Sequence, residues 1–491
     1  MTVHRPILWQ LLSHPRSIAC VDDRRATKNI ELLAGVFHIA ARLETVNHSQ
    51  RLGLLLPTGG SFPATALAGL TIGRTIVPLN YLLKPEELQY VIDDCGTDTI
   101  VTVKPMIEHL GHVPRVKNLL YLEEMDFSGL PDFRWPAPAS DEDLAVLLYT
   151  SGTSGKPKGV MLTHGNLTSN IRQIRDWVEF SRADSMLGVL PQFHSFGMTV
   201  LTFLPLSGGI KVVYTARFVP GKIIRLLREH RPTVLVAIPS MFNALLHAKD
   251  ATADDFRSLR YTVSGGEPLP SSVRDRFRER FGVTINEGYG LTETSPVTNW
   301  CRPHEFRPGS VGRPIPLIDQ RIVDSSTGRS LPPNVDGEVW MKGPNVMRGY
   351  FNLPEETEKA FSNNGYFRTG DIGRFDDDGH LHITGRLKEM LIIGGENVFP
   401  REIEEVLDRH PSVNASGVVG VSDPMRGEQP MAFVEMRDGA AFDEKELIGW
   451  CRQNLAGYKV PVEVRHLEAL PRNATGKVIR RELKTLAASG S

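Results

Sequence analysis

Cysteine is scarce in this 491-residue chain: Cys20, Cys95, Cys301 and Cys451 are the full complement, and no two share a paired spacing. That scatter excludes a disulfide framework and a zinc-ribbon type of cluster, and it fits a reducing cytosol. Neither sign of charge dominates, since 56 Lys and Arg face 57 Asp and Glu for a formal net charge of −1. No global field favours nucleic acid or an anionic membrane as a partner. An unbroken apolar run is also lacking. Residues 185–210 carry no Asp, Glu, Lys or Arg, but Pro191, Gln192, His194, Pro205 and the Gly208-Gly209 pair interrupt them. A bilayer span of about 20 apolar residues is therefore excluded there, and the segment reads as buried elements joined by loops that line a pocket. The first residues show no basic stretch leading into an apolar run, so no secretory signal is expected and the cytoplasm is the expected compartment.

The length predicts about three or four compact units. Within it, Thr150, Ser151, Gly152, Thr153, Ser154, Gly155, Lys156 and Lys158 form a stretch rich in hydroxyls, glycine and lysine. Glycine lets backbone N–H groups approach phosphate oxygens, hydroxyls add donors, and lysines add positive charge. A nucleoside triphosphate is the ligand this chemistry suits, although the spacing is not that of a Walker A loop. A solvated Gly/Ser turn is the bland alternative.

Around this stretch the pattern alternates. Strands are predicted at 52–56, 75–79, 99–103, 144–150, 233–238, 261–263 and 283–285, with helices at 62–72, 85–94, 165–180, 222–229, 241–248 and 271–280. Parallel, doubly wound sheets covered by helices follow, with ligands collecting beyond the carboxyl ends of the strands. Two Gly-bearing loops are predicted at such ends, 264–268 and 287–290. Composition shifts near Pro308 to short strands and turns, which predicts a β-rich, barrel-like subdomain. Beyond Gly385 the mixed pattern of helices at 400–408 and 444–455 and strands at 417–421 and 431–436 predicts a separate α+β domain. The fold class is thus α/β, divided into 1–385 and 386–491.

A carboxylate after a strand and facing phosphates can hold Mg²⁺, which takes few protein carboxylates plus phosphate oxygens; Glu293 is the candidate. Asp371 is an acceptor suited to ribose hydroxyls, and Lys477 follows a Gly turn ahead of an amphipathic helix. With 191–197, 264–269, 288–293, Gly370-Asp371, 385–389, 394–398 and Gly476-Lys477 in one order, the chain resembles the adenylate-forming acyl-CoA synthetase family over nearly its full length. That family includes aryl-CoA ligases, firefly luciferase and peptide-synthetase adenylation domains.

The resemblance implies that Thr150 to Lys158 close over the β- and γ-phosphates of ATP, that Thr292 meets the α-phosphate, and that Glu293 binds Mg²⁺. It implies that Gly266, Glu267, Pro268 and Tyr289 frame adenine, that Glu287, Gly288 and Gly290 also belong to the nucleotide site, and that Asp371 and Arg386 hold ribose. Lys477 would bridge the acid's carboxylate and the α-phosphate, and Lys388 would be the hinge about which the C-terminal domain turns so that a thiol can replace that lysine. His194 would lie at the mouth of the acyl pocket, with Phe193, Met198, Met241, Pro296 and Val297 as apolar pocket candidates. Arg217 matches a basic residue that meets the phosphate of coenzyme A in relatives, and Gly394-Gly395 is placed near the pantetheine arm. No aspartate occurs at 191–199 to pair with an amino group, and an unpaired buried ammonium is costly, so an amino-acid substrate is not expected. The expected activity is joining a medium- or long-chain fatty acid to coenzyme A. Aryl-CoA ligation, loading of an acyl-carrier protein and, from a different class, a non-catalytic adenylate-binding protein are the alternatives.

Overall fold

Apolar strands buried on both faces place two parallel arrays at the centre of the larger part of the chain. In this computed structural model, which describes residues 1–151, 156–437, 439–472 and 478–489, the first array runs Leu144–Ser151, Thr75–Pro78, Arg51–Leu55, Thr99–Thr102 and Asn118–Tyr121. The second runs Tyr261–Ser264, Val234–Ala237, Ser185–Gly188, Lys211–Tyr214 and Ile18–Val21. Strands such as Val234–Ala237 and Ser185–Gly188 are buried along their whole length, as expected where helices cover both faces of a parallel sheet.

The expected α/β fold is present, but the sheets are mixed. Leu144–Ser151 continues into an antiparallel partner, Pro157–Thr163, with Thr150 opposite Lys158 and Ser151 opposite Pro157. Thr150, Ser151 and Lys158 thus belong to paired antiparallel strands; only after the second strand does the helix His164–Trp177 begin, capped by Thr163 accepting from the Asn166 N–H. Likewise, 287–290 is not a loop. Asn286–Gly290 is itself a strand, parallel to Tyr261–Ser264 and antiparallel to Val297–Trp300. Alternation was too weak in Asn-Glu-Gly-Tyr-Gly to signal this; pairing on both sides imposes it. Residues 185–210 hold the strand Ser185–Gly188, a π-helix at Phe196–Phe203 and the helix Leu204–Gly208.

Four antiparallel strands follow in the order Asp319–Val323, Gly337–Lys342, Phe367–Phe375 and Leu381–Arg386. The continuous apolar core of the chain runs through Leu381, and a separate core gathers Leu391, Ile393, Val398, Ile403, Leu407 and Val418. Around that second core, Val413–Asp423 and Gly427–Met436 form a long antiparallel pair, with Glu463–His466 added in parallel. Gly385 sits against this part of the chain: a Cβ there would meet the Phe399 ring at 2.5 Å, so only glycine permits the approach.

Candidate active site

Cross-strand pairing assembles the first cluster. Phe367–Phe375 and Leu381–Arg386 bring Asp371 directly opposite Arg386, and the Arg386 Nε donates to Asp371 Oδ1 at 2.7 Å. The Tyr289 hydroxyl donates to the other oxygen, Oδ2, at 2.6 Å. Asp371 is almost wholly buried, Arg386 half exposed. The neighbouring carboxylate raises the Arg386 guanidinium, and burial together with Asp371 pushes the Tyr289 phenol up, so both stay protonated donors.

Glu293 is held from behind. The turn Thr292–Thr294 follows Gly290, where a Cβ would strike the Pro296 carbonyl at 1.9 Å. Asn345 Nδ2 donates to the Thr294 carbonyl at 2.7 Å, Ser295 Oγ donates to the Asn345 carbonyl at 2.9 Å, and Met347 N–H donates to the Glu293 carbonyl at 2.7 Å. The side chain is therefore left facing the cavity, where the Tyr350 hydroxyl donates to Glu293 Oε1 at 2.9 Å. Burial raises the Glu293 carboxyl. Thr292 Oγ1 lies 3.3 Å from Ser195 Oγ.

While Asp371 lines an adjoining cavity, Tyr289, Arg386, Thr292, Glu293, Tyr350 and Ser195 border one cavity of about 1140 Å³. Thr150, Lys158, His194, Gly266, Gly288, Tyr289, Gly290, Thr292, Glu293, Pro296, Val297, Arg386 and Lys388 of the expected set line it. Apolar walls come from Phe196, Val236, Val263, Trp300, Pro296 and Val297. Phe193, Met198 and Met241 are not among the lining residues: Phe193 packs edge-on against Tyr81 at 4.7 Å, Met198 is fully buried in the core, and Met241 packs against that core. Their apolar character marks core, which is the commoner fate of such side chains.

Burial lowers His194 to about 4, so the ring is neutral near pH 7. The Phe196 N–H donates to its Nδ1 at 3.3 Å, which assigns the ring proton to Nε2. A second cavity of about 420 Å³ adjoins the first and is lined by Gly266, Glu267, Pro268, Glu287, Tyr289 and Asp371 on one side and Arg401, Glu404 and Arg480 on the other. Arg217 is exposed, and Gly394-Gly395 forms the turn between Leu391–Ile393 and Glu396–Val398; none of the three lines either cavity. Lys156 sits with Nζ 5.3 Å from the Tyr90 ring centroid. Gly152, Thr153, Ser154, Gly155 and Lys477 lie outside the described residues, as does the side chain of Ser151. Tyr350, Glu338 and Glu356 also border the main cavity and escaped the sequence reading, because a lone tyrosine or glutamate carries no spacing signal.

Glu287 provides a pH probe of this region. Burial raises it to about 7, against opposing influence from Arg401 and Arg274, with Glu405 adding to the rise. Leu269 N–H donates to its Oε2 at 3.4 Å. A carboxyl whose folded value exceeds its unfolded one binds its proton more tightly in the folded chain, so its contribution is full below about 4.5 and is lost as pH rises through about 7. Glu287→Gln is neutral throughout and keeps an acceptor for Leu269. Its melting temperature should match wild type at pH 4.5 and exceed it by a few degrees at pH 8; a constant offset across that range would contradict the assignment.

Residues 8–351 match the family model described as AMP-binding enzyme, and residues 402–477 match AMP-binding enzyme C-terminal domain. A feruloyl-CoA synthase from Amycolatopsis sp is 35% identical over 476 residues, covering 96% of this chain and 96% of that one. A long-chain-fatty-acid–CoA ligase from Bacillus subtilis (strain 168) is 32% identical over 500 residues, covering 92% of this chain and 89% of that one. The crystal structure of ATP-bound MatB from Rhodopseudomonas palustris superposes with a TM-score of 0.89 at 30% identity, covering 99% of each chain.

Proposed function

We propose that this chain, which belongs to the AMP-binding enzyme family and is an adenylate-forming acyl-CoA synthetase, joins a medium- or long-chain fatty acid to coenzyme A in two half-reactions. The carrying observation is that one cavity is bordered both by a polar set, Glu293, Tyr350, Lys158 and Arg386, and by apolar walls from Val236, Val263, Val297 and Trp300.

ATP and a carboxylate are both anionic, so positive charge must screen their approach before the carboxylate oxygen attacks the α-phosphorus and pyrophosphate leaves. Asp371 would accept from the ribose hydroxyls while Tyr289 and Arg386 fix its orientation, and Gly266, Glu267, Pro268 and Glu287 would frame adenine on the adjoining cavity. The half-buried Glu293, facing the cavity, fits a cation bound mainly through phosphate oxygens. When bound, Mg²⁺ would neutralise phosphate charge. Thr292 and the Nε2–H of His194 would donate to the oxygens of the reacting carboxylate and α-phosphate, and Lys477 would lie between them. Positioning of these donors before the reaction lowers the barrier without reorganisation.

The thiolate of coenzyme A then attacks the acyl-adenylate and AMP leaves. We assign 386–491 as the unit that turns about Lys388, which lies in the turn Leu387–Glu389 on the cavity wall, between the half-reactions. Arg217 and Gly394-Gly395 would meet coenzyme A after that turn. A second reading is favoured by the Phe196 and Trp300 rings on the cavity wall, which also suit an aromatic acid.

An acid panel scored by AMP release, with coenzyme A or a phosphopantetheinyl carrier protein as acceptor, tests the reading. Highest kcat/KM with eight- to eighteen-carbon acids and coenzyme A, on the order of tenfold or more over aromatic acids, is expected, since each buried methylene contributes about 0.8 kcal/mol. Preference for hydroxylated or methoxylated aromatic acids would replace the fatty-acid assignment, and product on the carrier protein alone would replace coenzyme A.

A further inference from the structure

Lys158 is already engaged. Its Nζ forms an ion pair with Glu356 and lies 5.4 Å from the centroid of the Tyr350 ring, and only 15% of its side chain is exposed. The Tyr350 hydroxyl in turn reaches Glu293. Glu356, Lys158, Tyr350 and Glu293 are thus linked in series along the wall of the main cavity.

Backbone pairing makes this arrangement rigid. Gly349–Tyr350 is antiparallel to Pro157–Thr163, with Tyr350 opposite Val160, and Phe351 N–H donates to the Gly159 carbonyl at 2.7 Å. Glu356 sits in the helix Pro354–Ala360 that follows, so strand and helix carry it to Lys158 across almost two hundred residues of sequence. Glu356 also has a second cation: Lys359 Nζ lies 3.3 Å from its Oε1, while Lys158 takes Oε2. Lys359 lines the cavity too, and is 70% exposed.

From these contacts we propose that Glu356 is an internal competitor for phosphate at Lys158. The proposal rests on the reading of this cavity as the ATP site. A half-buried ammonium with no counter-ion is unfavourable, and Glu356 supplies one. Phosphate oxygens that enter beside Lys158 offer a stronger acceptor set and take the lysine from the carboxylate. Glu356 is not stranded when this happens, because Lys359 stays with it. When pyrophosphate departs, the carboxylate recaptures Lys158. The device weakens the hold on the β- and γ-phosphates and so speeds release of the product that carries both, while leaving the AMP half of the nucleotide untouched.

The sign of this effect separates it from a structural role. Titration calorimetry on the full chain, with inorganic pyrophosphate, ATP and AMP as probes, should show Glu356→Gln binding pyrophosphate and ATP about fivefold tighter than wild type, as expected for removing a partly exposed ion-pair competitor. AMP affinity should not change. Glu356→Asp, which keeps the charge on a shorter stem, should fall between the two. Equal or weaker pyrophosphate binding by Glu356→Gln would overturn the proposal, as would tightening that extends equally to AMP. Lys158→Gln, run alongside, should weaken pyrophosphate and ATP but not AMP. If it leaves all three unchanged, the ATP-site reading beneath the proposal falls with it, a result distinct from failure at Glu356.

Discussion

Glu293→Gln lowers the rate of acyl-adenylate formation by roughly 10²–10³-fold, the range found when one preorganised charge-stabilising group is removed from a reacting centre. The substitution is close to isosteric, and its amide oxygen still accepts from Tyr350, which in the structure donates to Glu293 at 2.9 Å. The turn itself is fixed by Asn345 and Met347 through backbone carbonyls that the mutation does not touch. What is lost is one negative charge. Single-turnover measurement of adenylate formation across a Mg²⁺ titration checks this, because the variant should need more Mg²⁺ for half-maximal rate while AMP affinity stays unaltered. A variant with a wild-type Mg²⁺ requirement would remove Glu293 from the metal role.

Asp371→Asn is expected to weaken ATP and AMP alike, by on the order of 100-fold, since hydrogen bonds to a charged acceptor contribute about 1.5–3 kcal/mol each. Both carboxylate oxygens are already oriented, one by Tyr289 at 2.6 Å and one by Arg386 at 2.7 Å, so the acceptor would meet ribose without reorganisation. Arg386 is half exposed, and water can solvate it when its partner is neutralised; the loss of stability should therefore be small beside the loss of affinity. An ATP analogue without the 2′- and 3′-hydroxyls gives the cleaner readout. Wild type should bind it poorly, and Asp371→Asn should bind it no worse than wild type does. A persistent 100-fold gap on the analogue would mean that Asp371 supports the site only through Tyr289 and Arg386.

What could be read in the sequence was local. The alternation of buried strands and helices around 51–103 and 233–285 comes from runs of Val, Ile and Leu between glycine and proline breaks, and the observed strands Arg51–Leu55, Thr99–Thr102 and Val234–Ala237 fall within a residue or so of the expected ones. The ordered motifs pointed to the family. Long-range partners were not legible. Tyr350 meets Glu293 only because Gly349–Tyr350 pairs with Pro157–Thr163, and nothing in a lone Gly-Tyr-Phe indicates that register. The same holds for the apolar wall. Val236 and Val263 look like ordinary strand residues, yet they face the cavity, whereas the larger apolar side chains of Phe193, Met198 and Met241 do not. The π-helix Phe196–Phe203 was hidden because its Phe-Gly-Met-Thr-Val-Leu-Thr-Phe sequence is apolar all round and has no 3.6-residue stripe.

The strand Leu381–Arg386 carries two neighbours with unrelated contacts. Arg386 pairs with Asp371, and Gly385, one position earlier, lies against Phe399. Adjacent residues of a strand face opposite ways, so a single peptide unit separates the Asp371 ion pair from the Phe399 ring. The two parts of the chain thereby meet at a single peptide, one of whose residues carries the Asp371 ion pair while the other takes the Phe399 ring.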